Sequence, residues 1–293
     1  MKNMISFFVT VILILFFISS SAYGAQRVYS YGFEDWTGEC KTTPGYPFYM
    51  CTGETGHSNG TEVIGSCGSW TPHTGSYFFF EQAYAGLSSD PCLAPGDNPE
   101  TVNTHNRINI PDVTDEIFVH FYFRFNDYAS SMAGGRRMKF LDLETNGLYP
   151  GDMEVWSHFS SGGSMNFIDE RTLNWGSGVS WPGGVNPLRD NGKWHSYAIW
   201  AKLSTGQLKV WMDTTDWDNP TIERSGYNWY NPRDRTPATK FTYIYIHENY
   251  SADTPTQSLK FALDSIEIWD GIPDSSVGNA PNPPTGLVVI SNN

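Results

Sequence analysis

Residues 191–213, NGKWHSYAIWAKLSTGQLKVWMD, decide the fold class. Tyr197, Ile199, Ala201 and Leu203 alternate with Trp194, Ser196, Ala198, Trp200 and Lys202. After the short turn Ser204-Thr205-Gly206, Leu208, Val210 and Met212 alternate with Lys209, Trp211 and Asp213. Successive strand side chains point to opposite faces, so a period of two predicts a half-buried antiparallel hairpin. Trp200 and Trp211 fall on its outward faces. Burying an indole is worth a few kcal/mol, so outward tryptophans mark a surface that something covers, either a flat ligand or the chain's own loops.

The same pattern recurs along the chain. Strands are expected at 28–33, 76–82, 104–110, 116–125, 137–144, 153–159, 165–169, 194–203, 207–213, 241–248 and 259–269. Clusters of Gly, Pro, Asn, Asp and Ser separate them, and helical periodicity is almost absent. Segments 41–75, 84–103 and 214–240 read as long loops. The expected architecture is all-β: a two-sheet antiparallel β-sandwich with a concave groove and long loops. Aromatic residues at 15% and charged residues at 17% suit a large β core rather than disorder.

The ends differ in character. Residues 1–24 read as a signal peptide: Lys2, an apolar run from Ile5 to Ile18, and Ala22-Tyr23-Gly24 as a small-x-small cleavage site. That run is too short to favour a membrane span, so the mature chain is expected to lack one and to be secreted, to the periplasm or beyond. Residues 25–271 form the expected domain, and 272–293, with Pro281, Pro283 and Pro284, read as a linker-like tail. In an exported chain Cys40, Cys51, Cys67 and Cys92 read as two disulfides, Cys40–Cys51 with Cys67–Cys92 being favoured because these pairings close the smaller loops. No C-x-x-C spacing suggests zinc, and no metal ligand is assigned. The net charge of −13 argues against nucleic acid as a partner. It also argues against polyanionic glycans unless a local basic patch overrides it. A monomer is expected.

Face assignment gathers the candidate site. In 117–125, Ile117, Val119, Phe121, Phe123 and Phe125 are core, with Phe118, His120, Tyr122 and Arg124 opposite. Ile244 and Ile246 are core, with Tyr243, Tyr245 and His247 opposite; Asn249 continues that face. Leu141 and Leu143 face in, while Phe140, Asp142 and Glu144 face out. Val155 and Phe159 face in, while Glu154, Trp156 and His158 face out. The non-core faces therefore hold Trp, Tyr, His, Arg and acids, the composition of a carbohydrate groove.

The motif order Phe33-Glu34, HTGSYFFF (73–80), EIFVHFYFRF (116–125), KFLDLE (139–144), GKWHSYAIWAKL (192–203), LKVWMD (208–213) and LKFALDSIEIWDG (259–271) resembles the concanavalin A-like jelly-roll (lectin/glucanase) superfamily. It is most similar in that order to secreted polysaccharide-lyase-like proteins of the alginate-lyase and heparin-lyase folds. The resemblance spans residues 28–271 and implies a jelly roll with a polysaccharide partner. It implies an Arg-bearing strand at THNRINI (104–110), matched by Arg107, and a late Tyr-bearing strand at YIYIHEN (243–249). The family's Gln-x-His strand falls at 140–144, which holds neither residue. By the same order, 116–125 belongs to the convex sheet and Arg124 to its surface.

β-Elimination on a uronic-acid polymer needs a carboxylate neutralised, the adjacent proton removed and the leaving oxygen protonated. Arg107, Tyr245 and His247 are the candidate catalytic set. His105, Asp142, Glu144, Trp156, His158, Trp200, Tyr243 and Asn249 are candidate substrate contacts. Two alternatives stand beside this set. One is a non-catalytic, lectin-like binding module, in which the Tyr and His residues are structural or solvated. The other is a glycoside hydrolase using Asp142 and Glu144, whose Cα atoms lie about 6.5–7 Å apart on one strand face. Those acids also read as a solvated or calcium-touching pair. Calcium is the candidate cofactor, with Asp213, Asp216, Asp218 and Asn219 offering oxygen ligands. His195, on the inward face, reads as a hydrogen-bonded core histidine.

Overall fold

The computed structural model describes residues 25–32, 48–52, 61–83, 104–110, 115–125, 137–146, 154–159, 165–169, 176–184, 187, 193–226, 238–250 and 259–274. Residues 1–24, Cys40, Cys92 and the residues beyond Asp274 lie outside them. In chain order the strands are β1 (Arg27–Tyr31), β2 (Phe48–Thr52), β3 (Thr61–Ile64), β4 (Phe78–Ala83), β5 (Thr104–Asn109), β6 (Glu116–Phe125), β7 (Arg137–Thr145) and β8 (Glu154–Phe159). There follow β9 (Met165–Asp169), β10 (Gly176–Val179), β11 (His195–Lys202), β12 (Gln207–Met212), β13 (Ile222–Arg224), β14 (Phe241–Tyr250) and β15 (Leu259–Trp269).

These strands form the expected antiparallel sandwich. One sheet runs β13-β12-β11-β6-β15-β4-β3 with β1 added on β15, and the other runs β10-β9-β8-β7-β14-β5-β2. The chain crosses repeatedly between the two, as jelly-roll wiring requires. Strands β2, β3, β10 and β13 were not expected; β2 and β3 lie in the segment read as a loop at 41–75. The FYMCT of β2 carries the missed signal, a five-residue run without Gly or Pro. Among the described residues no helix is long and apolar enough to cross a membrane.

The core lies between the sheets. Phe121, Phe123 and Phe125 of β6 meet Phe140 of β7, with Phe123 and Phe140 centroids 4.6 Å apart. Phe140 was expected on the opposite face. The register of β7 against β8 shifts between Lys139 and Leu141, and such a bulge inserts one residue and turns a side chain over. Phe140 and Leu141 consequently both join the core. A second shift, in β15 against β6, falls between Asp264 and Glu267. There the inward series changes phase from Phe261 and Leu263 to Ile266 and Ile268. Ser265 takes a positive φ of 52° at this kink. The kink lies where β15 exchanges one edge partner for another: β4 pairs with Leu259–Leu263 and β1 with Ile266–Trp269.

The outer face of the eight-stranded sheet is roofed, which corrects two expectations. Arg124 is not a surface side chain. It is buried, its guanidinium lies over the Trp70 ring at 4.3 Å, and Nη1 donates to the Ser69 carbonyl at 2.8 Å. Trp200 and Trp211 are buried with Phe118 and Ala198 beneath Trp217, Trp269 and Ile272. The acidic loop supplies Trp217, and the end of β15 and the residues after it supply Trp269 and Ile272. Asp216 accepts from the Asp218 amide and from Asn219 Nδ2, and Thr214 Oγ1 accepts from the Asp216 amide. The turn so formed presents Trp217 to Phe118 at 5.1 Å and to Trp211 at 5.9 Å.

Candidate functional site

The register of the seven-stranded sheet assembles the candidate site. Tyr245 on β14 pairs with Arg107 on one side and Asp142 on the other. Asp142 pairs in turn with Trp156, and Arg107 with Tyr49 of β2. One transverse row therefore runs Tyr49, Arg107, Tyr245, Asp142, Trp156 across five neighbouring strands. Adjacent strands lie about 4.8 Å apart, so Arg107 and Asp142 stand one strand to either side of Tyr245. Two residues along, Tyr243 pairs with Asn109 and Glu144, and Glu144 with Glu154.

Packing decides which face of this sheet is turned away from the core. Ile244 and Ile246 of β14, and Leu141 and Leu143 of β7, belong to the core. Alternation places Tyr243, Tyr245, Asp142 and Glu144 on the other face. The two acids are not the solvated pair that the sequence allowed: Asp142 is 1% and Glu144 4% exposed, and Tyr245 is 9% exposed. Tyr243 is half-buried.

The remaining candidates are placed by backbone alone. His105 pairs with Cys51, His158 with Lys139 and Asn166, and Asn249 with Met138; His247 is in β14. The side chains of His105, Arg107, Trp156, His158, His247 and Asn249 lie outside the described residues. Trp200 does not join the group. It sits on the other sheet, on the face turned away from the core, with Lys209 Nζ 5.6 Å from its ring centroid. Trp200→Phe is expected to cost about 1–2 kcal/mol of stability, as checked by denaturant titration.

His195 is the core histidine its inward position suggested. Nδ1 donates to Asp213 Oδ2 at 2.8 Å, and the same carboxylate accepts from Trp181 Nε1 and from the Ser196 amide at 2.9 Å. Burial opposes ionisation of Asp213, but the bond to His195 and its charge, with the Trp181 and Ser196 donors, hold the carboxyl below its ordinary range. Asp213 is therefore engaged by three donors of the protein while its residue stays exposed. Among the described residues no three His, Cys, Asp or Glu side chains are gathered to hold a metal ion. Cys67 is not a free thiol; the pairing of the four cysteines lies outside the described residues.

No family model matches the chain, and no curated protein matches it. Solved structures similar to it include a PL-14 alginate lyase from Aplysia kurodai, at 11% identity and a TM-score of 0.47, covering 83% of this chain and 99% of that one. Alginate lyase Aly36B is similar at 9% identity and a TM-score of 0.42, covering 72% and 96%. The binding domain of botulinum neurotoxin DC, in complex with rat synaptotagmin II, is similar at 12% identity and a TM-score of 0.45, covering 86% and 49%. These likenesses do not select among an eliminating enzyme, a hydrolase and a binding module.

Proposed function

We propose that this chain is a secreted protein that binds an acidic polysaccharide on the outer face of its seven-stranded sheet and cleaves it by β-elimination. One observation carries the reading: the row in which Arg107, Tyr245, Asp142 and Trp156 stand side by side. Residues far apart in the chain, of the types that eliminative chemistry uses, meet on one rung. In this scheme Arg107 neutralises the uronate carboxylate, which acidifies the proton beside it. Tyr245 and His247 remove that proton and protonate the leaving oxygen. The C–O bond breaks and a C=C bond forms on the sugar that held the carboxylate. Trp156 is the candidate stacking residue for a neighbouring ring, and His105, His158, Tyr243 and Asn249 are the further candidate contacts. The leader-like first 24 residues and the even cysteine count support export, with Cys40–Cys51 and Cys67–Cys92 as the proposed pairs.

A binding module is the second reading. It is favoured by the near-complete burial of Asp142 and Tyr245 and by the lack of Gln and His in 140–144. A panel of uronic-acid polysaccharides separates the possibilities, with ultraviolet absorbance of the new double bond and reducing ends read together. Elimination raises both. Reducing ends without absorbance would move the chemistry to Asp142 and Glu144 as a hydrolase pair. Saturable binding with neither signal would leave a lectin-like module.

A further inference from the structure

Where β1 begins, the chain is fastened to the end of β15 from several sides. Gln26 donates its amide to Asp270 Oδ1 at 2.6 Å, and Asp270 returns its own amide to the Gln26 carbonyl at 3.0 Å. Arg27 Nη1 donates to Glu267 Oε1 at 2.9 Å, and its guanidinium lies 5.7 Å from the Trp269 ring centroid. Ala25 sits over Gly271, which is buried. A Cβ added to Gly271 would lie 3.3 Å from Ala25 Cβ and 3.2 Å from Glu116 Oε1. Both contacts are tighter than ordinary packing, so the bare glycine lets Ala25 and Glu116 close over it.

Ala25 is also the residue that follows the small-x-small site Ala22-Tyr23-Gly24. On the reading that the chain is exported, we propose that cleavage between Gly24 and Ala25 creates a structural group of this domain: the new α-ammonium of Ala25 pairs with the carboxylates of Asp270 and Glu116 and locks β1 onto β15. The covalent step is hydrolysis of one amide by an endopeptidase of the export route. One water is consumed, the C–N bond between Gly24 and Ala25 breaks, Gly24 leaves with a carboxylate and Ala25 keeps an ammonium.

Covalent geometry brings that charge to the carboxylates. The α-nitrogen of Ala25 is separated from the Gln26 nitrogen by two backbone carbons, hence by about 3–3.6 Å, and the Gln26 amide already touches Asp270. The same nitrogen is one bond from the Cα whose Cβ meets Glu116 over Gly271.

The surrounding charges favour a cation there. Asp115 and Glu116 come from the start of β6, Glu267 and Asp270 from the end of β15, Lys202 from β11 and Arg27 from β1. Lys202 Nζ divides between Glu116 Oε2 at 3.4 Å and Asp115 Oδ2 at 3.7 Å. Arg27 is committed to Glu267, whose Oε2 also lies 3.8 Å from His120 Nδ1. No side-chain cation is given to Asp270 among the described residues. In an uncut chain the same position carries a neutral amide. Among the described strands β1 pairs with β15 alone, so its seating depends on these end contacts. Processing therefore closes β1 more firmly after export than before it, and through Arg27 steadies Glu267 on the outer face.

The test expresses the full chain with export in a bacterial host and reads the N-terminal peptide of the product by mass spectrometry. It should begin at Ala25. The product is then acetylated at about pH 6.5, where an α-amine reacts ahead of lysine, and both forms are unfolded in denaturant between about pH 6 and about pH 10. The free amine should be the more stable form by about three- to tenfold in the folding constant, the size of one or two exposed ion pairs. That advantage should be complete below about pH 8, the ordinary α-amino value, and be lost as pH rises through the higher value that pairing gives the folded chain. Asp270→Asn combined with Glu116→Gln should make the two forms equal, since each amide keeps an acceptor oxygen but loses the charge. Should the double variant fail to fold, the pH profile of the difference between the two forms decides. A product cut elsewhere, equal stability of the two forms, or an advantage that survives the double variant overturns the proposal. A chain left uncut overturns the export reading with it, whereas cleavage at Ala25 without a stability difference overturns only the lock.

Discussion

Tyr245→Phe is expected to lower the rate of eliminative cleavage by about 100- to 10,000-fold, the usual contribution of a positioned proton donor or acceptor. The expectation rests on the proposed role of Tyr245 at the centre of the Arg107–Tyr245–Asp142 row. The substitution removes one oxygen and keeps the ring, so its packing beside the β5 and β7 backbones survives. The melting temperature and the KM should change little while kcat collapses. His247→Ala should give the same pattern, whereas Arg107→Ala should also raise KM, because a uronate carboxylate loses its counter-charge. Turnover that survives both Tyr245→Phe and His247→Ala would place the chemistry elsewhere. An unchanged binding isotherm in all three variants would remove this face from glycan recognition altogether.

Asp213→Ala is expected to cost about 3–4 kcal/mol, because three donors lose one charged acceptor and part of each bond's worth is returned by solvent at the exposed side of the carboxylate. For a domain of this size that is a fall of about 10 °C in melting temperature. Asp213 sits just past β12 with φ of 52°, a conformation that Asp and Asn tolerate better than Ala. Its carboxylate ties the start of β11, through His195 and Ser196, to Trp181. Asp213→Asn should lose less, keeping the backbone preference and one acceptor oxygen. Near-ultraviolet circular dichroism should report the loosened Trp181. The pH sign follows from the lowered value: the stabilisation is present above the ordinary carboxyl value of 3.8 and is lost as pH falls through the lower folded one. A small change in the denaturation midpoint of Asp213→Ala would mean that the hairpin closes without this clamp.

Much of the architecture was legible because strand periodicity is local. The alternation in 117–125 and 197–212 identified the buried faces of β6, β11 and β12 without any knowledge of their neighbours. It also placed His195 inside. The pattern failed where a backbone irregularity changed its phase, as at Phe140, and where the run was short, as in β2. It also failed to say what lies above an outward residue. Trp200, Trp211 and Arg124 occupy outward positions, but segments distant in sequence cover them.

By itself, then, the sequence determined which residues alternate, hence the all-β class, the positions of most strands and most inward faces. Each of these follows from side-chain direction within a few residues. Only the tertiary structure decided that Arg107, Tyr245, Asp142 and Trp156 share one row, that Asp142 and Glu144 are buried, and that Ala25 and Glu116 meet over Gly271. Those outcomes depend on register between strands far apart in the chain and on the loops that close over a face. A hydrogen-bonding ladder admits several registers that differ by two residues while keeping the same inward faces. Packing of the whole sandwich selects one of them.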